Sequence, residues 1–207
     1  MIIQNAYNKW SATYDTDFNL TRDLDHHVTK QSLKEIHCGT ILELGCGTGK
    51  NTSFLSKICD KMWAVDFSEG MLSKAKGKSD SQNVTFSQTD ITKPWPFEAQ
   101  SFDLIVCNLV LEHINDLTFI FAEAKRTLKQ NGIVFICELH PFRQYQGKKA
   151  RFERGQETIE IHAFVHNVSD FFSAAAQNNF KLIDIGEWKH ATDKTMIPRL
   201  LSFKFEK

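Results

Sequence analysis

The residues of this sequence that could do chemistry gather at a few points. Glu43 is followed at alternating positions by Gly45, Gly47 and Gly49, with Cys46 between the first two, inside the run Ile41–Lys50. An apolar run that breaks into alternating glycines turns sharply and lets its backbone lie against a ligand. A second apolar run, Met62–Val65, ends in Asp66, where a doubly wound sheet sets a carboxylate against ribose hydroxyls. Loop and acid together read as one site for a nucleotide-like ligand. Further along, Asp90, Asn108, His113 and His140 each follow a short apolar or strand-like phrase, where ligands of open α/β sheets are bound.

The glycine spacing discriminates among ligands. A dinucleotide loop requires Gly-x-Gly-x-x-Gly, and here the third position is Lys50, with glycine one residue early at Gly49. Glu43 before the first glycine is an unfavourable neighbour for a pyrophosphate and a suitable one for a ligand carrying an ammonium and a sulfonium. The Glu-x-Gly-x-Gly-x-Gly stretch, followed by Val65-Asp66-Phe67-Ser68-Glu69-Gly70-Met71-Leu72, resembles the cofactor motifs of class I S-adenosylmethionine-dependent methyltransferases. The resemblance implies a Rossmann-like, doubly wound α/β fold of seven strands, mostly parallel with an antiparallel last strand, and S-adenosylmethionine as cofactor. It carries Glu43, Gly45, Cys46, Gly47, Gly49, Asp66, Phe67 and Met71 to the cofactor, and Asp90 with Ile91 to its adenine. The phrase Ala12-Thr13-Tyr14-Asp15 is similar to the N-terminal segment of the small-molecule branch related to quinone biosynthesis, which makes Tyr14 a candidate lid contact. Asn108, closing the fourth strand beside the first, is expected to border the methyl donor.

Methyl transfer from a sulfonium needs positioning above all, and a base only when the nucleophile must lose a proton. His140, between the fifth strand and Pro141, is the first candidate for that base, and His113 the competing one. The phrase Leu109-Val110-Leu111-Glu112-His113 is similar to a stretch in quinone-pathway O-methyltransferases that can hold a divalent metal, but Leu109 stands at the first acidic position. Adjacent residues do not share a face, so Glu112 and His113 are expected to point apart. No metal site is expected.

These residues require elements to hold them. The alternation predicts strands at 40–44, 61–66, 83–87, 102–107 and 132–138 and helices at about 50–58, 68–77 and 115–129, the last stopped by Asn131-Gly132. Ahead of them, Tyr7, Trp10 and Tyr14 form an aromatic stripe if residues 5–15 are helical, expected to pack as core or lid. Residues 22–37 read as a helix on which His26 and His27 are solvated. Beyond the fifth strand, Pro141 is expected to break regular structure, and Arg143, Lys148, Lys149, Arg151 and Arg154 form a basic segment able to pair with a phosphate or carboxylate on the acceptor, or to lie in solvent as a loop. Alternation over 157–165 predicts a strand with one buried face. A helix capped by Ser169 or Asp170 and two strands near 180–187 and 196–206 close the chain. Lys74, Lys76 and Lys78 read as solvated surface.

The organisation is thus one domain, 1–207: a helical lid at 1–37, the cofactor-binding core at 38–138, an acceptor-side insertion at 139–166 and a closing helix and strands at 167–207. Twenty-five Lys and Arg against 25 Asp and Glu give no net charge, so the broad basic face of a nucleic-acid binder is not expected. Neither a leader at Met1–Asn5 nor a membrane-length apolar run is apparent, so a cytoplasmic protein is expected. The five cysteines lack any Cys-x-x-Cys pair and read as reduced core residues. The expected acceptor is a small, partly aromatic or apolar molecule; oligomeric state is left open. Two other functions remain in view. A cofactor-binding scaffold without catalysis shares the motifs, and a nicotinamide-dependent oxidoreductase is imitated by Tyr145-x-x-x-Lys149, although Gly147 opposes the helix that pair needs.

Overall fold

The computed structural model describes residues 3–154 and 157–207, apart from the side chain of Arg154; the Met1 and Ile2 of the leader reading lie outside the described residues. The aromatic stripe begins in helix α1 (Ile3–Trp10), shorter than the segment 5–15, with Tyr14 on the turns that follow. Helix α2 (Leu20–Leu33) starts two residues early because Asn19 caps it, accepting the N–H groups of Thr21 and Arg22 at 3.0 and 3.1 Å. Such a cap is worth about 1 kcal/mol.

The doubly wound core follows: β1 (Cys38–Leu44), the short α3 (Thr52–Leu55), β2 (Cys59–Asp66), α4 (Glu69–Lys78), β3 (Val84–Gln88), β4 (Phe102–Asn108), a 3₁₀ turn at Leu111–His113, α5 (Leu117–Thr127) and β5 (Leu128–Leu139). The predicted helix over 50–58 is reduced to four residues, flanked by turns. Asn131-Gly132 does not stop α5. That helix ends at Thr127, Leu128 is already extended, and Asn131, at φ 61°, falls within β5 where the register against β4 shifts between Phe102 and Leu104. The pair makes a bulge in the sheet, because Asn tolerates the left-handed region that a bulge demands.

Pro141 does not break the chain; it opens α6 (Pro141–Tyr145), where its fixed φ and missing N–H suit the first helical position. The basic segment then enters β6 (Arg151–Arg154), which pairs antiparallel with β7 (Glu157–Glu160) as a separate hairpin. The strand predicted over 157–165 therefore stops at Glu160. Helix α7 (Val168–Gln177) is capped by Asn167, not by Ser169 or Asp170; Asp170 instead accepts the Asn167 N–H at 2.7 Å. Strands β8 (Lys181–Trp188) and β9 (Leu200–Glu206) complete a seven-stranded sheet of order β3-β2-β1-β4-β5-β9-β8, in which six strands run one way and β9 alone is antiparallel.

The central strands are buried on both faces. Ile41 and Leu42 of β1, Ile105 and Val106 of β4 and Phe135 of β5 expose nothing to solvent. This is the pattern of parallel strands covered on both sides. The chain order reverses between β1 and β4, so their carboxyl ends leave a crevice between them. All five cysteines are free, and all but Cys38 are buried. No helix among the described residues is long and apolar enough to cross a membrane.

Candidate active site

A cavity of about 290 Å³ lies in that crevice. Its floor is the loop after β1, where Gly45, Gly47 and Gly49 all adopt positive φ, at 68°, 54° and 82°. Each does so for its own reason. A Cβ on Gly45 would lie 2.2 Å from Val110 Cγ2, and one on Gly49 would lie 3.2 Å from Ala75 of α4, whereas one on Gly47 would meet nothing within 4 Å. Gly47 borders open cavity. Gly49 does not line it and instead packs the loop against α4, which corrects its expected place among the cofactor contacts.

The other expected cofactor residues Tyr14, Glu43, Gly45, Cys46, Asp66, Phe67, Met71, Asp90, Ile91 and Asn108 all line this cavity. Asp66 accepts the Gly47 N–H and the Ser68 N–H, both at 2.8 Å, which ties the glycine loop to the end of β2. Glu43 is 4% exposed, and among the described residues its carboxylate accepts one hydrogen bond, from the Thr52 hydroxyl at 2.5 Å. Burial pushes its carboxyl up to about 8. Asp90 uses one oxygen for a turn, accepting the Thr92 hydroxyl at 2.6 Å and amide at 3.0 Å. Asn108 donates to Asp25 Oδ1 at 2.7 Å and to the Thr29 hydroxyl at 2.6 Å, while its own Oδ1 is buried without a partner among the described residues.

Asp25 escaped the sequence reading. It lines the cavity from α2, held by Asn108 and by Asn51 at 2.8 Å, and burial raises its carboxyl to about 6 against the lowering by those amides. A signal was present: Arg22, Asp25 and Thr29 recur at i, i+3 and i+7 and are all buried, so this helix carries a polar stripe inward. His26 is not simply solvated, since its Nδ1 lies 2.9 Å from Asn51 Oδ1. Lys78 also departs from the solvated reading; it pairs with Asp15 and donates to the Thr48 carbonyl at 3.1 Å, fastening the lid segment to the glycine loop. Asn8 of α1 adds two further ties, to the Ser68 hydroxyl and the Gly70 amide.

The two histidines part company. His113 lines the cavity. Its Nδ1 lies 2.8 Å from the His162 carbonyl, which can only accept, so Nδ1 carries the proton and Nε2 accepts from the Tyr7 hydroxyl at 2.7 Å. Burial lowers the imidazole's affinity for a second proton. Glu112 does not line this cavity, yet its Oε1 comes within 3.7 Å of His113 Nε2, and burial raises its carboxyl to about 7. The 3₁₀ turn bearing both is pinned by Glu138, which accepts the amides of Val110 and Leu111 at 2.9 Å. His140 lines neither this cavity nor its neighbour. It is 1% exposed, its Nδ1 accepts the Phe142 N–H at 3.2 Å, and its Nε2 donates to Glu187 at 2.9 Å. Both ring nitrogens are spent on capping α6 and tying its start to β8, so the expectation of a base at His140 is withdrawn.

A second cavity, of about 480 Å³, opens beside the first. Tyr7, Tyr14, Arg22 and Leu109 line both. The aromatic stripe thus packs and lines at once: Trp10 stacks on Tyr7 and on Phe152 of β6, with centroids 5.8 and 5.2 Å apart, while Tyr7 and Tyr14 face the cavities. The Tyr145/Lys149 pair does not share a helix face, because Gly147 at φ 78° intervenes and Lys149 pairs with Glu160 at 2.5 Å. Among the described residues, no three His, Cys, Asp or Glu side chains are placed to hold a metal ion.

The first cavity suits a cationic nucleoside. Asp25, Glu43 and Asp66 converge on it, and of the two cations in its wall Lys50 is paired outward with Asp23 at 2.6 Å. Buried carboxylates without a counter-ion favour a ligand that supplies positive charge.

Comparison with known proteins agrees with that chemistry. A family model for the methyltransferase domain matches residues 42–136. A malonyl-[acyl-carrier protein] O-methyltransferase of Bacillus cereus is 31% identical over 77% of this chain and 60% of its own length. A demethylmenaquinone methyltransferase of Tropheryma whipplei is 28% identical over 68% of this chain and 61% of its own. The chain thus spans about three fifths of either relative. Among solved structures, the N-methyltransferase NodS of Bradyrhizobium japonicum in complex with S-adenosyl-L-homocysteine superposes with a TM-score of 0.76 at 15% identity, over 99% of this chain and 98% of that one. At that identity the likeness concerns the fold.

Proposed function

We propose, from the premise that this chain belongs to the class I S-adenosylmethionine-dependent methyltransferases, that it moves a methyl group to a small-molecule acceptor held in the second cavity. The observation that carries the reading is the junction of two cavities of opposite character, an acid-lined one over the glycine loop and one beside it, meeting at Tyr7, Tyr14, Arg22 and Leu109. When bound, the cofactor supplies a methyl group activated by its sulfonium. Gly45, Cys46 and Gly47 let the backbone approach it, Glu43 and Asp25 favour its cationic end, and Asp66 offers carboxylate lone pairs to ribose hydroxyls. Asp90 and Ile91 take the adenine end, and Phe67, Met71 and Tyr14 enclose it. Asn108 keeps its place by holding Asp25.

For an acceptor that must lose a proton, Tyr7 and His113 form the relay. The Tyr7 oxygen accepts the acceptor's proton as its own passes to His113 Nε2, which its tautomer leaves free to accept. Burial keeps that imidazole neutral and ready. The rest is in-line positioning between two cavities that share a wall. One relative is named for a malonyl-[acyl-carrier protein] acceptor and another for demethylmenaquinone, which supports a small reacting group, free or linked to a carrier protein.

The test is incubation with methyl-labelled S-adenosylmethionine and fractionated cell extract. Label is expected in the small-molecule fraction, or on protein in a form released by thioester cleavage. Label confined to RNA, or fixed to protein after that cleavage, overturns the reading.

A further inference from the structure

Cations outnumber acids in the wall of the second cavity, the reverse of the first. The second wall presents Arg22, Arg143, Lys148, Lys149, Arg151 and Arg199 against one acid, Glu112. Three of the cations already have an acid beside them: Arg143 and Arg199 share Asp193, and Lys149 pairs with Glu160. Arg22, Lys148 and Arg151 have no carboxylate partner among the described residues.

Arg22 is the informative one. It is 9% exposed, its Nη1 and Nη2 donate to the backbone carbonyls of Tyr14 and Asp17, and its buried Nε has no acceptor among the described residues. Its guanidinium carbon stands 4.0 Å from the Tyr14 ring centroid, at the seam between the two cavities. A buried guanidinium with an unused N–H is costly unless something else accepts it. Lys148 and Arg151 stand in the same wall, on the turn after α6 and on β6. Phe152 holds that hairpin in place through its stack on Trp10.

Resting on the reading of this cavity as the acceptor site, we infer that the acceptor is taken by an anionic group, a carboxylate or a phosphate, held by Arg22, Lys148 and Arg151. The inference takes up the expectation that the basic segment pairs with a phosphate or carboxylate on the acceptor, and adds Arg22 to it. Guanidinium and ammonium groups converging on a partly enclosed cavity raise the local concentration of anions and orient them. The two cavities are then complementary, with carboxylates facing the cationic donor and cations facing the anionic acceptor.

Nuclear magnetic resonance titration of the protein saturated with S-adenosylhomocysteine tests this, using malonate and inorganic phosphate as probes. Saturable shifts are expected at the amides of residues 148–151 and at the Arg22 Nε–H. The paired substitution K148E/R151E is expected to weaken that binding by about tenfold or more, as charge reversal at a binding wall does, and to leave S-adenosylhomocysteine affinity unchanged because neither residue lines the first cavity. Tighter binding of malonate assigns the carboxylate, and tighter binding of phosphate the phosphoryl group. No saturable shift with either anion, or equal affinity in K148E/R151E, overturns the inference. Failure to bind S-adenosylhomocysteine would instead count against the cofactor reading, and the anion titration can still be read on the unliganded protein.

Discussion

The carboxylate of Asp66 accepts the main-chain N–H of Gly47 at 2.8 Å across 19 residues of sequence. The acid at the end of β2 therefore shapes the loop after β1 as well as facing the cavity. Asp66→Ala removes the loop's anchor and, on the proposed reading, an acceptor for ribose hydroxyls. Hydrogen bonds to a charged group are worth about 1.5–3 kcal/mol each, so affinity for S-adenosylmethionine is expected to fall by about tenfold or more. Calorimetric titration checks this, and an unchanged dissociation constant would remove Asp66 from the site.

Gly45 and Gly47 separate stability from binding. At Gly45 an added Cβ lies 2.2 Å from Val110 Cγ2, so Gly45→Ala is expected to lower the melting temperature markedly, and Val110→Ala in the same chain to restore part of it. Gly47→Ala meets no neighbour and bears only the strain of its φ, of the order of 1–2 kcal/mol. Gly47→Val should fold and lose cofactor affinity, because its side chain fills the cavity. Thermal melts alongside cofactor titrations distinguish the two positions, and normal binding by Gly47→Val would refute the loop assignment.

Glu43 carries a raised pKa, from 4.5 to about 8, because burial disfavours its charge. The folded state thus holds a proton that the unfolded state releases. By linkage, its contribution to stability is fully present below about pH 4.5 and is lost as pH rises through about 8. The unliganded parent is expected to lose more stability over that window than Glu43→Gln, in which the position no longer titrates. A cationic cofactor reverses the preference by favouring the ionised form, so binding near neutrality should release protons. Calorimetry in buffers of different ionisation enthalpy measures this; a binding enthalpy independent of buffer would count against a cation beside Glu43 and Asp25.

His113 and His140 make opposite predictions. With an acceptor that must lose a proton, His113→Ala is expected to lower turnover by about a hundredfold or more at saturating acceptor, with cofactor affinity unchanged. Tyr7→Phe keeps the stack on Trp10 and should lose turnover in the same direction. His140→Ala should leave turnover within a few-fold and lower the melting temperature, because its ring caps α6 and joins it to β8 through Glu187. Equal turnover for His113→Ala and the parent would leave methyl transfer to positioning alone.

What the sequence by itself determined lay in local chemistry. Alternating glycines behind Glu43 read as a ligand loop, and strand ends at Asp66, Asp90 and Asn108 read as one crevice, because apolar runs and turn residues report on the few neighbours they touch. The same locality explains where the reading stopped. His113 and His140 are alike in sequence, each after an apolar phrase and an acid, and only folding decides that one meets Tyr7 106 positions away while the other is sealed against Glu187. Arg22 and Asp25 look like surface charges on a helix until α2 is laid over the crevice with that face inward. Whether a charged side chain is solvated or becomes part of a site depends on which distant elements close over it, and that closure is a property of the tertiary structure alone.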